Sequence, residues 1–242
     1  MPGVPTDALT RLVVEPERLL TGLLVLTPDE AHYLRRVRRL GAGDAVEVRD
    51  GAGRRCPATL EGATALRLGE WERLPPPPGT AVHLAFAPPR GQRADLLLEK
   101  ATELGAAAFH PIVAERSVRR DEGAVERYER LVRAAARQCG TAYTPLVHPA
   151  QSLGAFLAAP PEGLRLVASP DAAAALRDVL PAAAPEAAVV LTGPEGGFSR
   201  AELAAATAAG FVPFRLGDLV LRAETAPLVA LTLLRHRFGD LG

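Results

Sequence analysis

The sequence predicts an α/β protein in which a small β domain precedes a larger domain built on a parallel sheet. Short apolar runs separated by turn residues fill the chain before LPPPPG, residues 74–79. Beyond it, β-like runs alternate with helical segments, the pattern of a mostly parallel sheet with helices on both faces. Four consecutive prolines remove backbone donors and favour a stiff extended segment. We therefore expect domains at residues 1–74 and 75–242.

The first domain is expected to be a barrel or strongly bent sheet with one helix. Its β-like runs are RLVVE, GLLVL, AVEVRD, ATLEG and ALRLGEW, with a turn signal at GAGRR. Thr27 and Glu30 form a capping box around Pro28, so a helix is predicted to start there and to stop at Gly41. Leu34 and Val37 are expected to face the core.

The second domain is expected to alternate strands and helices to the end of the chain. Its predicted strands are AVHLAFA, AAAFHPIVA, LRLVAS, AAVVLTG and FVPFRLG. Its predicted helices are DLLLEKATEL, AVERYERLVRAAARQC, SLGAFLAA, DAAAALRDVL, RAELAAATAA and APLVALTLLRHRF. Ligands in such sheets bind beyond the carboxyl ends of the strands.

Composition is that of an ordinary globular protein, with 48% hydrophobic residues and 28 basic residues balanced by 28 acidic ones. No apolar run approaches the roughly 20 residues that cross a bilayer, and the start lacks a signal-peptide pattern, so we expect a cytoplasmic protein without a membrane segment. The two cysteines and five histidines show no metal-binding spacing, so no metal is expected.

The segment LTGPEGGFS, residues 191–199, follows the most strand-like run of the chain. Three glycines there allow a ligand to approach the backbone closely. Ser199 and Glu202 form a capping box, which favours a helix cap over a nucleophile. The segment is neither a dinucleotide fingerprint nor a P-loop, which needs a following lysine, and the single lysine is Lys100. A nucleoside-type cofactor held by backbone groups is the kind of ligand that these exclusions leave open.

A second unusual segment, RLGDLVLRAETAPLVAL, occupies residues 215–231. A predicted strand again ends in a glycine, Gly217, and a short loop leads into a helix near Pro227. Arg222 and Glu224 in this loop form either a surface ion pair, worth about 0–1 kcal/mol, or part of a site. Two such loops at strand ends are expected to face one pocket.

The segments LTGPEGGFS and LGDLVLRAETA closely resemble the two signature loops of the bacterial small-subunit ribosomal-RNA uridine N3-methyltransferases, which belong to the SPOUT superfamily. HYLRRVRR, EKATELG, ERSVRR and ARQCG match further motifs in order, so the resemblance spans nearly the whole chain. It implies an N-terminal PUA-like, RNA-binding β-barrel and a C-terminal SPOUT-type sheet with a deep trefoil knot. It also implies a homodimer that binds S-adenosylmethionine and methylates small-subunit (16S) ribosomal RNA, either free or in the 30S subunit.

The resemblance implies the residues that hold the cofactor, and the chemistry of uridine N3 methylation and the positions of the arginines indicate further site residues. Glu224 is a candidate general base, and Arg222 would stabilise negative charge on the uracil oxygens; Glu195, Gln138 and water stay open as alternatives. The residues matching the cofactor loops are Leu191, Thr192, Gly193, Pro194, Glu195, Gly196, Gly197, Leu216, Gly217, Leu219, Leu221 and Arg222. The arginines expected to contact RNA are Arg35, Arg36, Arg38, Arg39, Arg90, Arg93, Arg116, Arg119 and Arg120.

Other functions compete with this hypothesis. A non-catalytic RNA-binding or ribosome-assembly factor that keeps the fold would not need the glycines of both loops. The arginines of residues 35–39 alone also suit a solvated helix without a partner. A kinase or dehydrogenase is disfavoured because the chain lacks both the P-loop and the dinucleotide fingerprint.

Overall fold

The computed structural model describes residues 9–19, 22–118, 123–239 and 241 of the chain, which divides into two compact units. The first contains the residues up to Pro77 together with Ala136–Thr144. The second contains Pro78–Ala135 and the residues from Pro145 onward. The change from the first unit to the second at Pro77 and Pro78 falls within LPPPPG.

The N-terminal unit contains a mixed sheet of six strands. They are β1 (Thr10–Val13), β2 (Leu23–Val25), β3 (Ala45–Arg49), β4 (Arg54–Glu61), β5 (Ala65–Leu68) and β6 (Glu72–Arg73). Their order is β1-β3-β4-β5-β2, with β6 paired to β4; β1 and β3 are parallel and the other pairs antiparallel. Alternate residues such as Val46, Leu60 and Leu66 are buried in one apolar core. The turn predicted at GAGRR was wrong in part, because β4 begins at Arg54 and continues through Pro57.

The helix of this unit begins at the predicted capping box but has an unexpected shape. Helix α1 (Pro28–His32) is followed by a π-helical turn, Tyr33–Val37, which ends before Gly41. The π turn places Leu34 in the core but leaves Val37 60% exposed, so the prediction that Val37 faces the core was wrong. Bonds from residue i to i+5 widen the turn, which breaks the three-residue spacing assumed for Val37.

The C-terminal unit is built on a parallel sheet of seven strands. They are β7 (Ala81–Phe86), β8 (Ala108–Val113), β9 (Leu146–Val147), β10 (Gln151–Ser152), β11 (Leu164–Ala168), β12 (Ala187–Thr192) and β13 (Val212–Phe214). Their order is β10-β8-β7-β12-β11-β13, with β9 paired to β8. Every pair in this sheet is parallel, as the sequence pattern predicted.

Helices cover both faces of this sheet. They are α2 (Arg93–Glu103), α3 (Val125–Cys139), α4 (Leu153–Ala158), α5 (Leu176–Val179), α6 (Arg200–Ala208) and α7 (Thr225–Phe238). Along the strands, Leu84 and Val190 belong to the core shared with α2, α3 and α7, whereas Ala85 and Leu191 belong to the core shared with α4 and α6. The alternation arises because successive side chains of a strand point to opposite faces. In the described part of the chain, no helix is long and apolar enough to cross a membrane.

The helix predicted over residues 171–180 is much shorter than expected. Only α5, Leu176–Val179, is helical, so the prediction for residues 171–175 was wrong. The guanidinium of Arg215 donates to the backbone oxygens of Ala172 and Ala173, which a helix would use internally. A side chain distant in sequence thus holds an alanine-rich segment as a loop.

Three histidine rings from neighbouring segments stack on one another. The ring centroids of His110 and His148 lie 4.1 Å apart, and those of His83 and His110 lie 5.5 Å apart. Burial, followed by the positive charge of His148, lowers the pKa of His83. Burial lowers the pKa of His110 to about 3, with smaller contributions from His148 and His83. Burial also lowers the pKa of His148. The folded state therefore favours the neutral form of all three rings.

Acid is expected to destabilise the fold through this stack. An unfolded histidine takes up a proton below a pH of about 6.5. Since the folded pKa values are lower, the unfolded state binds more protons as the pH falls from about 6.5 toward 3, and stability is lost over that window. We expect His110→Phe, which keeps a ring but cannot titrate, to flatten the dependence of the free energy of unfolding on pH between 7.5 and 5.

Urea denaturation at several pH values measures this dependence. His236→Phe is the control, because His236 is exposed on α7 and lies outside the stack. A pH dependence in His110→Phe as steep as in the unmodified protein would show that the stack does not carry the acid sensitivity.

Candidate functional site

One pocket lies beyond the carboxyl ends of three neighbouring strands, β12, β11 and β13. The segments that follow these strands all line it, and its volume is about 510 Å³. Since the three strands are parallel and adjacent, the segments after them meet at the same edge of the sheet. The two glycine-bearing loops thus share one pocket. 

The first loop, residues 192–198, is shaped by a tight turn. The backbone N–H of Gly197 donates to the oxygen of Pro194 at 2.8 Å, and Gly197 has a φ of 68°, in the left-handed region that favours glycine. A Cβ at Gly193 would lie 3.2 Å from the ring of Phe198. The loop therefore requires glycine at two positions for two different reasons.

Gly196 in the same loop is packed against an arginine. A Cβ there would lie 3.3 Å from Cβ and Cδ of Arg116, whose Nη1 donates to the oxygen of Gly196 at 2.8 Å. A larger residue at this position would first displace Arg116. The requirement for glycine here thus comes from the protein's own packing.

The second loop, residues 215–223, contains Gly217 with a φ of 137°. A Cβ at Gly217 would meet no atom within 4 Å, so the residue faces open space in the pocket lining. Leu219 and Val220 are 82% and 80% exposed. Such exposure of neighbouring apolar residues is typical of a surface that meets a ligand or another protein.

A third segment, residues 168–171, was missed by sequence reasoning. It follows β11, which lies between β12 and β13, and it lines the pocket with Ser169 and Asp171. Its residues carry no glycine pattern, so only the position of β11 in the sheet reveals them.

Most of the residues matching the cofactor loops line the pocket. Leu191 does not: it is fully buried in β12. The residues that line the pocket are Thr192, Gly193, Pro194, Glu195, Gly196, Gly197, Leu216, Gly217, Leu219, Leu221 and Arg222.

Glu224 is buried at the start of α7, with 7% of its surface exposed. Its Oε1 lies 3.7 Å from Nε of Arg93, the first residue of α2. Its Oε2 has no hydrogen-bond partner in the described part of the chain. Arg222, by contrast, is exposed and lines the pocket. The carboxylate thus faces Arg93, a partner that the local sequence does not indicate.

The two alternative candidates for the base lie in different places. Glu195 lines the pocket, and its Oε1 accepts from the backbone N–H of Arg90 at 3.1 Å. Gln138 lies near the end of α3, in the segment that clusters with the N-terminal unit, and does not line the pocket.

The arginines expected to contact RNA fall into two groups. Those of the N-terminal unit are exposed, and Arg38 also donates from Nε to Oγ1 of Thr10 at 3.1 Å. Arg90, Arg93 and Arg116 border a second, open cavity of about 1190 Å³. Arg119 and Arg120 lie outside the described residues. Within the described ranges, no cluster of three or more histidine, cysteine, aspartate or glutamate residues is arranged to hold a metal ion.

Two family models match the chain. A model described as an RNA methyltransferase domain matches residues 76–235, and one described as an RNA methyltransferase PUA domain matches residues 26–68. The matched regions cover the parallel sheet with its pocket and strands β3, β4 and β5 of the N-terminal sheet.

Relatives of known name are similar over most of their length. A ribosomal RNA small subunit methyltransferase E of Synechocystis sp. is 38% identical, over 91% of this chain and 75% of that protein. One of Mycobacterium bovis is 38% identical, over 86% of this chain and 84% of that protein.

Two solved structures are similar in fold. A putative methyltransferase of Legionella pneumophila in complex with S-adenosylmethionine has a TM-score of 0.87 and 28% identity, over 96% of this chain and 99% of that one. A ribosomal RNA small subunit methyltransferase E of Neisseria gonorrhoeae bound to S-adenosylmethionine has a TM-score of 0.84 and 27% identity, over 97% and 100%.

The capping box after the first loop gives a test of Ser199. Its Oγ accepts from the N–H of Glu202 at 3.3 Å, and the Glu202 carboxylate accepts from the N–H of Ser199 at 2.8 Å. We expect Ser199→Ala to lower the free energy of unfolding by about 1 kcal/mol, measured in urea. Thr207→Ala, which removes an exposed hydroxyl of the same helix, is the control. Equal stability of the Ser199 variant and the unmodified protein would contradict the capping role.

Proposed function

The chain belongs to the RNA methyltransferase family, and from this premise we propose that it transfers a methyl group from S-adenosylmethionine to N3 of a uridine in small-subunit ribosomal RNA. The observation that carries the proposal is that the loops after β12 and β13 line the same pocket. A relative named ribosomal RNA small subunit methyltransferase E and a solved structure of that name with bound S-adenosylmethionine support it.

The pocket fits S-adenosylmethionine in size and chemistry. Its volume of about 510 Å³ lies within the range of roughly 300–1,000 Å³ typical of small-molecule sites. Phe198, Leu203 and Phe214 supply apolar walls suited to an adenine ring, and the glycine loops supply backbone groups. When bound, S-adenosylmethionine supplies an electrophilic methyl group.

Two residues of the chain are proposed to act on the uridine. Uracil N3 carries a proton that must leave, and general-base assistance typically contributes about 10²–10⁴-fold. Glu224 is proposed as this base, supported by its burial and by the unpartnered Oε2 noted among the described residues. Arg222 keeps its charge at any ordinary pH and is proposed to stabilise negative charge on the uracil oxygens.

The N-terminal PUA-like domain is proposed to bind the RNA backbone. Arg35, Arg36 and Arg39 are exposed around the π-helical turn, and Arg39 has a φ of 59°, which turns the chain at its end. Phosphate contacts supply most of the affinity of proteins for nucleic acid, so clustered arginines suit this role.

Further properties of the family are proposed for this chain. They are the division into domains at residues 1–74 and 75–242, a deep trefoil knot around the pocket, a homodimer and a cytoplasmic location. The exposure of Leu219 and Val220 supports the homodimer, since a partner subunit would cover them.

Methylation of ribosomal RNA tests the proposal directly. We expect the protein to transfer label from S-adenosylmethionine to small-subunit ribosomal RNA, and mass spectrometry to locate the methyl group on N3 of a uridine. Gly217→Ala should lower the affinity for S-adenosylmethionine about tenfold, because a side chain is strained at this φ. Gly154→Ala in α4 is the control, since an added Cβ there meets nothing within 4 Å. Absence of transfer by the unmodified protein would refute the proposed activity.

The arginines of the N-terminal unit can be tested separately. We expect Arg35→Glu combined with Arg36→Glu to weaken RNA binding about tenfold or more and to reduce its salt dependence, because two phosphate contacts are lost. Affinity for S-adenosylmethionine should not change. Arg73→Glu combined with Arg177→Glu alters the net charge equally at two other exposed positions. Equal weakening by both pairs, measured by filter binding, would show only a general effect of charge.

A further inference from the structure

The second cavity shares a wall with the cofactor pocket. Arg93, Arg116, Glu195 and Gly196 line both. Two hydrogen bonds between residues of the second cavity stabilise this wall. Arg116 donates to the oxygen of Gly196, and the N–H of Arg90 donates to the carboxylate of Glu195. A molecule in the second cavity would therefore lie directly beside one in the pocket.

The second cavity combines positive charge with apolar surface. Arg90, Arg93 and Arg116 border it, and Leu96 and Val118 expose 46% and 51% of their surface. A nucleotide offers the matching groups, an anionic phosphate and a flat base whose faces pack on apolar side chains. The volume of the second cavity, about 1190 Å³, leaves space for more than one nucleotide.

We propose that the second cavity receives the nucleotide to be methylated, and that Arg93 binds an oxygen of this nucleotide. The inference rests on the proposed function, since reacting groups must lie about 3–3.5 Å apart and so require adjoining sites. Arg93 borders both cavities, and the buried carboxylate of Glu224 lies 3.7 Å from its Nε. Glu224 thus restrains the guanidinium at the junction.

Substitution at Leu96 separates this inference from the proposed function, because Leu96 lines only the second cavity. We expect Leu96→Asp to lower kcat/KM for RNA about tenfold or more, since it sets a negative charge against phosphate. The affinity for S-adenosylmethionine, measured by calorimetry, should stay within about twofold, as expected for a surface substitution outside the pocket. Leu146→Asp, at a residue 66% exposed in neither cavity, is the control.

Arg93→Gln and a photo-crosslink give independent measurements. Arg93→Gln should raise KM for RNA, whereas Arg177→Gln should not. RNA with 4-thiouridine at the methylated position should crosslink to residues of α2. Normal RNA kinetics in Leu96→Asp, or crosslinks that map only outside the second cavity, would overturn the inference and leave the proposed function intact. Failure of the unmodified protein to bind S-adenosylmethionine or to methylate RNA would overturn both.

Discussion

The parallel pairing of β12 with β7 on one side and β11 on the other is the constraint on which the site depends. It fixes the level at which Thr192 ends its strand, opposite Phe86. Because β13 pairs with the other side of β11, the loops after three strands open at the same edge. Backbone hydrogen bonding in the sheet, rather than any contact within the loops, brings residues far apart in sequence into one pocket.

The glycines of the two loops are required for different reasons. Gly197 and Gly217 have backbone angles that other residues rarely adopt, whereas Gly193 and Gly196 leave space for Phe198 and Arg116. The loops are thus shaped both by backbone conformation and by packing. The same loop that faces the pocket also forms the wall of the second cavity, which joins the two sites physically.

Local patterns predicted much of the fold. The strand at 187–192 and the helix ends at Gly105 and Gly140 follow from apolar runs and glycine signals, which act over a few residues. Several of the failures arise from distant contacts. Arg215 binds the backbone of residues 172 and 173 and prevents the helix predicted at residues 171–175. Glu224 contacts Arg93, which lies far from it in the sequence. The pocket segment after β11 was likewise visible only once the strand order was known.

The stacked histidines have a consequence for the charged surface. All but one of the basic side chains are arginines, whose guanidinium groups keep their proton throughout the pH range in which proteins fold. Acid therefore leaves these positive charges unaltered while it acts on the neutral rings inside the second unit. Through these histidines, acid acts on the interior of the second unit and not on the charge of the arginines.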